Sequence, residues 1–134
     1  PLQADILGGD QSMKAYKAAQ ENALVAGLEG EIHFQRSRME KLEPPPAPGT
    51  LLVNPPYDKR LPEEDIQALY TSIGDTLKQQ YAGYRAWVFS CHLTALKHIG
   101  LRSMKKIPLY NGPLEGKLQG YELYAGSRKD KKND

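Results

Sequence analysis

Prolines enclose a short apolar run, Thr50 to Val53, on both sides, and this arrangement constrains the fold more than any other feature of the chain. The preceding segment, Pro44 to Gly49, contains four prolines and is predicted to be a loop, because proline is excluded from helix interiors and central strands. The following residues, Asn54-Pro55-Pro56-Tyr57, end the run just as firmly. A continuous apolar run between loop signals is typical of a parallel strand buried on both faces.

The residues before the proline-rich loop follow a strand-helix-strand pattern. Ala4 to Leu7 is predicted as a short strand that ends in a turn at Gly8-Gly9-Asp10. A helix should begin after Ser12, a good N-cap, and stop at Gly27. Glu31 to Gln35 is predicted as the second strand. The helix face is predicted from residues at helical spacing, namely Met13, Tyr16, Ala19, Ala23 and Leu24.

The clearest helix follows Pro62, and its first turn carries three acidic residues at the positive end of the helix dipole. Its apolar face recurs every three or four residues, at Ile66, Leu69, Tyr70, Ile73, Leu77 and Tyr81. Ala86 to Phe89 is predicted as another apolar strand, and Leu93 to Ile99 as a short helix closed by Gly100.

Two more strands are predicted at the C-terminal end, Arg102 to Tyr110 and Leu118 to Ala125, joined as an antiparallel hairpin around Asn111-Gly112-Pro113. Strands that alternate with helices indicate a mostly parallel sheet covered by helices. The sequence therefore predicts an α/β fold with a Rossmann-like order and a C-terminal antiparallel hairpin. Residues 1–126 are predicted to belong to one domain, followed by a charged tail at 127–134.

Composition restricts the classes of function. The 134 residues carry a net charge of +2, and the tail alone accounts for it, so global charge does not favour nucleic-acid binding. No apolar run reaches the roughly 18 residues of a membrane span. The single cysteine, Cys91, is compatible with a reducing, cytoplasmic setting. Cys91, His33 and His98 are scattered over different elements, so no metal site is predicted.

The segment Asn54-Pro55-Pro56-Tyr57 has the residues to bind a planar amine. Two consecutive prolines stiffen the backbone and remove two N–H donors, which leaves carbonyl oxygens and the Asn54 amide oxygen as a row of acceptors. Tyr57 adds an aromatic face on which a ring can stack. Ligands of α/β sheets bind at the carboxyl ends of strands, where this segment lies. The alternative is an ordinary turn between a strand and a helix.

The stretch Leu52 to Leu61 resembles the fourth motif of amino-directed class I methyltransferases. It is most similar to the ribosomal RNA guanine-N2 methyltransferase family, whose members are often labelled N6-adenine-specific DNA methylases and whose pattern is Asn-Pro-Pro-Tyr-Gly-x-Arg-Leu. Segments farther along also resemble this family, at residues 69–77, 87–90, 96–101 and 106–118. The resemblance therefore extends over nearly the whole chain.

This resemblance implies S-adenosylmethionine as cofactor and RNA as substrate. Asn54, Pro55, Pro56 and Tyr57 would hold the target amine. The expected cofactor contacts are Asp10, on the ribose hydroxyls, with Gly8 and Ser37. Lys59 and Arg60 lie beside the motif and are candidates for substrate phosphate. The alternative for Asp10 is a turn or capping residue beside Ser12.

The sequence departs from the family pattern in three places. Asp58 stands where the family usually has glycine, and Arg36 to Met39 stand where many relatives place an acidic residue near the adenine. No glycine-rich loop follows a first strand. The chain is therefore interpreted as the C-terminal part of a catalytic domain, expected to bind cofactor weakly or not at all by itself.

Three other functions remain open. The same motif serves DNA adenine-N6 methylation and methylation of glutamine amides in proteins. A non-catalytic α/β domain for RNA binding is an alternative of another class.

Overall fold

The computed structural model describes residues 4–56 and 61–125, and the chain divides into two compact units between Glu43 and Pro44. The predicted alternation of strands and helices is confirmed in both units. The described elements are β1 (Ile6–Asp10), α1 (Met13–Val25), β2 (Ile32–Arg36), β3 (Gly49–Val53), α2 (Glu63–Gln80), β4 (Tyr84–Ser90), α3 (Leu93–Leu96), β5 (Lys105–Asn111) and β6 (Leu114–Glu122).

In the first unit, β1 and β2 form a parallel pair, with Ile6 opposite Ile32 and Asp10 opposite Arg36. The turn predicted at Gly8-Gly9-Asp10 is wrong, because all three residues belong to β1. The glycines make room for neighbouring side chains. A Cβ at Gly8 would lie 3.0 Å from the Phe34 ring, and one at Gly9 would lie 2.6 Å from Leu42.

The two ends of α1 agree with the sequence. The Ser12 hydroxyl accepts a hydrogen bond from the Ala15 backbone N–H at 3.2 Å, and Gly27 has a φ of +75° just beyond the helix. The packed face is narrower than predicted. Ala23 is buried, whereas Leu24 is 57% exposed, because the next residue around the helix points away from the face that contains Ala23.

In the second unit, four strands form one sheet in the order β3-β4-β6-β5. β3 and β4 are parallel, with Gly49 opposite Tyr84, while β6 runs antiparallel to both β4 and β5. The predicted hairpin is confirmed, and its two strands are joined through Gly112-Pro113. Because β6 lies between β4 and β5, the hairpin extends the sheet beyond the parallel pair.

Helix α2 packs against one face of this sheet. The predicted apolar face of the helix is confirmed, since Ile66, Tyr70 and Leu77 are almost completely buried. Residues of β4 alternate, and those facing this side are buried, namely Tyr84, Ala86, Val88 and Ser90. The helix also approaches the 3₁₀ turn Lys97–Ile99 so closely that a Cβ at Gly74 would lie 1.8 Å from the Ile99 carbonyl oxygen.

The opposite face of the sheet carries large side chains that are not fully buried. Trp87 lies over Gly120, and Phe89 over Gly116. Leu52 in β3 is 71% exposed. The prediction that Thr50 to Val53 is buried on both faces is therefore wrong. Among the described strands β3 pairs only with β4. Its residues alternate between half-buried and exposed, because successive side chains of a strand point to opposite faces of the sheet. Every described helix is too short or too polar to cross a membrane.

Candidate active site

The predicted acceptor segment lies at the carboxyl end of β3. Asn54, Pro55 and Pro56 follow the last strand residue directly; Pro55 is buried, and its two neighbours are exposed. Among the described residues, nothing forms a hydrogen bond with the Asn54 side chain, so its amide faces solvent with its acceptor oxygen available. The other predicted members of this region, Tyr57, Lys59 and Arg60, lie outside the described residues.

A buried tyrosine holds the end of this segment. The hydroxyl of Tyr70, on α2, lies 3.0 Å from the Pro56 carbonyl oxygen and 2.6 Å from Oγ of Ser90, the last residue of β4. Tyr70 and Ser90 are both completely buried. The hydroxyl therefore joins the loop after β3 to the end of the neighbouring strand.

The sequence predictions placed Tyr70 only on the apolar face of its helix and gave Ser90 no role. A tyrosine on a buried helix face is itself a signal, because its hydroxyl needs a hydrogen-bond partner inside the protein. What the sequence lacks is the identity of that partner, which is 14 residues away in the case of Pro56 and 20 in the case of Ser90.

His92 continues the same cluster. Its backbone N–H donates to Oγ of Ser90 at 3.0 Å. Its ring atom Nδ1 accepts from the Ala95 backbone N–H at 3.0 Å and so caps α3, while Nε2 lies 3.1 Å from the Glu63 carboxylate. Because Nδ1 acts as an acceptor, the neutral ring carries its proton on Nε2, where it donates to Glu63. The start of α2 and the start of α3 are thereby connected.

In the first unit, Asp10 and Ser37 lie together at the carboxyl ends of β1 and β2. The Ser37 backbone N–H donates to the Asp10 carbonyl oxygen at 2.9 Å. The Asp10 side chain is exposed, and its Oδ1 accepts from the Ser12 backbone N–H at 2.8 Å, as the turn interpretation expects. Within the described part of the chain, Oδ2 of the same carboxylate has no hydrogen-bond partner, so it can accept from a ligand.

Gly8 and the segment after β2 already make contacts within the protein, whereas Asp10 has an acceptor oxygen open to a ligand. Gly8 lies inside β1 against Phe34, so packing already accounts for glycine at this position. Arg36 donates through Nε to the Gln11 carbonyl oxygen at 3.3 Å, and the Ser37 hydroxyl donates to the Arg38 carbonyl oxygen at 3.0 Å. These bonds order the loops beside Asp10. The described residues contain no group of three His, Cys, Asp or Glu side chains arranged to hold a metal ion.

Three features together define a Rossmann-like class I methyltransferase fold. These are the parallel pairs β1–β2 and β3–β4, the antiparallel hairpin that ends the second sheet, and the polar groups at the carboxyl ends of the strands. The chain belongs to the RMKL-like methyltransferase domain family, whose model matches residues 2–119. The resemblance that the Asn-Pro-Pro-Tyr segment indicated is thereby confirmed.

Three relatives have sequence identities of 35–43% to this chain. A Synechocystis sp. protein provisionally named as an RNA methyltransferase is 43% identical over 124 residues, which are 92% of this chain and 32% of that protein. The ribosomal RNA large subunit methyltransferase K/L of Syntrophotalea carbinolica is 40% identical and covers 88% of this chain and 17% of that enzyme. The enzyme of the same name from Allochromatium vinosum is 35% identical, with coverages of 87% and 16%. The chain thus spans a third or less of these relatives.

Solved structures confirm the fold. SMU.472, provisionally described as a methyltransferase and crystallised with SAH, is 26% identical, with a TM-score of 0.84 over 93% of this chain and 33% of that chain. A Listeria monocytogenes protein described as a predicted N6-adenine-specific DNA methylase is 28% identical, with a TM-score of 0.74 and coverages of 87% and 30%. TrmN from Thermus thermophilus, at 21% identity and a TM-score of 0.71, covers 91% of this chain and 37% of that chain and shares the fold.

Proposed function

We propose that this chain forms part of an enzyme that transfers a methyl group from S-adenosylmethionine to an exocyclic amine of a base in large-subunit ribosomal RNA. The observation that carries the proposal is the exposed Asn54 amide beside two prolines at the carboxyl end of β3. It is supported by membership in the RMKL-like methyltransferase domain family and by 40% identity to an enzyme named for this RNA.

The chemistry of the segment suits an amine. The Asn54 amide oxygen and the Pro55 carbonyl oxygen would each accept an N–H of the substrate, which orients the nitrogen lone pair towards the methyl donor. Tyr57 would stack on the base, and Lys59 and Arg60 would contact phosphate. The rate enhancement would come from positioning and from polarisation of the amine by fixed acceptors.

The cofactor proposal rests on Asp10. An exposed carboxylate at the end of a strand, with one oxygen held by Ser12 and the other open, fits a pair of ribose hydroxyl donors. S-adenosylmethionine, when bound, supplies an electrophilic methyl group. Ser37 is the residue beside Asp10 that we propose as a second contact, since its backbone is hydrogen-bonded to the Asp10 carbonyl. Gly8 stays a predicted cofactor contact that follows from the family resemblance alone, because packing against Phe34 already accounts for glycine there.

Guanine N2 is the amine we propose, following the resemblance of Leu52 to Leu61 to guanine-N2 methyltransferases. A base within a duplex would have to leave the stack to reach the acceptors. A ribosomal RNA substrate implies that the enzyme works in the cytoplasm. Adenine N6 of DNA is the second candidate, because the Listeria monocytogenes structure carries that description.

The test is methyl transfer by the full-length protein from labelled S-adenosylmethionine to three acceptors: an in vitro transcribed large-subunit ribosomal RNA, a duplex DNA and a bulk protein extract. We expect label in the RNA, recovered as N2-methylguanosine after digestion to nucleosides. Label in N6-methyladenine of DNA would support the second candidate. Label only in protein would refute a nucleic-acid substrate.

Asn54→Ala tests the catalytic assignment. Removal of one fixed acceptor from the amine is expected to lower kcat by about 100-fold. Asn22→Ala is the matched control, because Asn22 is an exposed asparagine on α1 with no predicted role, and its activity should equal that of the unmodified protein. Full activity of Asn54→Ala would refute catalysis at this segment and favour a non-catalytic RNA-binding domain.

A further inference from the structure

The geometry points to Tyr70 as a positioning residue that sets the orientation of the acceptor segment, with Ser90 fixing the Tyr70 hydroxyl. This inference rests on the proposed function, because it assigns to Tyr70 the task of holding Asn54 and Pro55 in the arrangement that binds the amine. Tyr70 itself would not contact the substrate. It lies on α2 and is completely buried.

The hydrogen bonds in this cluster have a fixed direction. The Pro56 carbonyl oxygen can only accept, so the Tyr70 hydroxyl proton is directed to it. In the 2.6 Å contact between the two hydroxyls, Ser90 must then be the donor. Oγ of Ser90 in turn accepts from the His92 backbone N–H. Among the bonds between described residues, the Ser90 hydroxyl donates to Tyr70 and the Tyr70 hydroxyl donates to Pro56, so the series of donors ends on the Pro56 carbonyl oxygen.

The last hydrogen bond of this series, from Tyr70 to Pro56, restricts the position of the acceptors. Pro56 cannot donate through its own nitrogen, and its carbonyl oxygen already accepts one hydrogen bond, from Tyr70. The proposed acceptors for the amine are the other two in the segment, the Asn54 amide oxygen and the Pro55 carbonyl oxygen. Both are within two residues of the point that Tyr70 holds, and the intervening φ angles are restricted by the proline rings. A fixed Pro56 carbonyl therefore limits where both acceptors point.

A second buried tyrosine of the same unit, in the sheet, provides a matched comparison. Tyr84 is the first residue of β4, is buried, and donates from its hydroxyl to the carbonyl oxygen of Pro45 at 2.5 Å. Both tyrosines thus tie a proline carbonyl next to β3. Tyr84 does so at the amino end of the strand, and Ser90 lies six residues farther along β4, about 20 Å away. Loss of either hydroxyl removes a bond to a proline carbonyl, and loss of the Tyr70 hydroxyl also removes its bond with Ser90, but only Tyr70 acts on the acceptor segment.

The experiment compares Tyr70→Phe with Tyr84→Phe in the full-length protein, with the same transcribed ribosomal RNA as substrate. For Tyr70→Phe we expect kcat to fall about 10- to 100-fold, because small misplacements of reacting groups have effects of this size. The KM for S-adenosylmethionine should change less than about twofold. For Tyr84→Phe we expect kcat within about twofold of the unmodified protein. Thermal unfolding of both variants shows whether their losses of stability are comparable.

The outcomes are distinct. Equal kcat values for the two variants, or a Tyr70→Phe effect confined to the KM for cofactor, would overturn the inference. If Tyr70→Phe is too unstable to assay, Ser90→Ala replaces it. That variant keeps the bond to Pro56 but loses the donor that orients Tyr70, so kcat should fall about threefold to tenfold, and an unchanged kcat would contradict the inference.

Asn54→Ala separates this inference from the proposed function. If Asn54→Ala is inactive while Tyr70→Phe keeps full activity, only the positioning role fails. If Asn54→Ala is fully active, the proposed function fails, whatever the result for Tyr70→Phe.

Discussion

The contact between α2 and the 3₁₀ turn Lys97–Ile99 leads to a prediction of unusual sign. Replacement of glycine by alanine inside a helix normally stabilises a protein by roughly 0.5–1 kcal/mol. At Gly74 the new Cβ would lie 1.8 Å from the Ile99 carbonyl oxygen and 2.8 Å from its carbonyl carbon. The obstacle is backbone and cannot be relieved by a rotamer change. We therefore expect Gly74→Ala to destabilise the protein.

The magnitude follows from the distance. An ordinary contact begins near 3.4 Å, so the helix and the turn would have to separate by about 1.6 Å along this direction. Overpacking that moves backbone costs about 3 kcal/mol or more, at the upper end of the usual range. After subtraction of the gain in helix propensity, the net loss in the free energy of unfolding is about 2 kcal/mol. For a unit of roughly this size, the midpoint of thermal unfolding should fall by about 10 °C.

The assay is thermal and denaturant unfolding of Gly74→Ala beside Ser72→Ala. Ser72 is an exposed residue of the same helix, so its replacement should change stability by less than about 0.5 kcal/mol. If Gly74→Ala proves as stable as Ser72→Ala, the close approach of α2 to Ile99 is not present in solution and the argument is refuted.

Two further predictions concern the sheet of the second unit. Gly120→Ala would place a Cβ 2.6 Å from the ring of Trp87, which is half-buried and can turn aside. We therefore expect a smaller loss in the free energy of unfolding, about 1 kcal/mol, and a change in the fluorescence of Trp87, the only tryptophan in the chain. Unchanged stability and fluorescence would contradict this packing. Burial raises the pKa of Tyr121 to about 12, so the folded protein resists its ionisation, and stability that is complete below pH 10 should be lost as the pH rises from 10 to 12. Tyr121→Phe should weaken that dependence, as measured by unfolding across this range. If the free energy of unfolding falls equally steeply with pH in the variant and in the unmodified protein, Tyr121 is not the source of the pH dependence.

Local chemistry explains why much of the fold was predictable. Ser12 caps α1 through the backbone three residues away, and the acidic first turn of α2 interacts with the dipole of its own helix. The Asn-Pro-Pro segment ends β3 because proline restricts its own φ and the conformation of the residue before it. Such effects act within a few residues, so the order of residues is enough to reveal them.

Predictions failed where the outcome depended on a neighbour distant in the chain. Gly8 and Gly9 have the composition of a turn, yet they continue β1 because Phe34 and Leu42 occupy the space that side chains would need. The apolar run at β3 has the pattern of a fully buried strand, but its burial depends on how many strands and helices flank it, and Leu52 is exposed.

The candidate site shows the same division. The sequence by itself determined the acceptor chemistry of Asn54 and Pro55, because it depends on which atoms these residues carry and on the N–H groups that proline lacks. It also carried the family resemblance. Only the tertiary structure decided which carbonyl oxygen of the segment accepts a hydrogen bond within the protein, since the Tyr70 hydroxyl reaches Pro56 from a helix that begins several residues later and meets Ser90 from another strand. Hydrogen bonds between residues distant in the sequence depend on how the chain folds in three dimensions, and the order of residue types does not specify which of them come together.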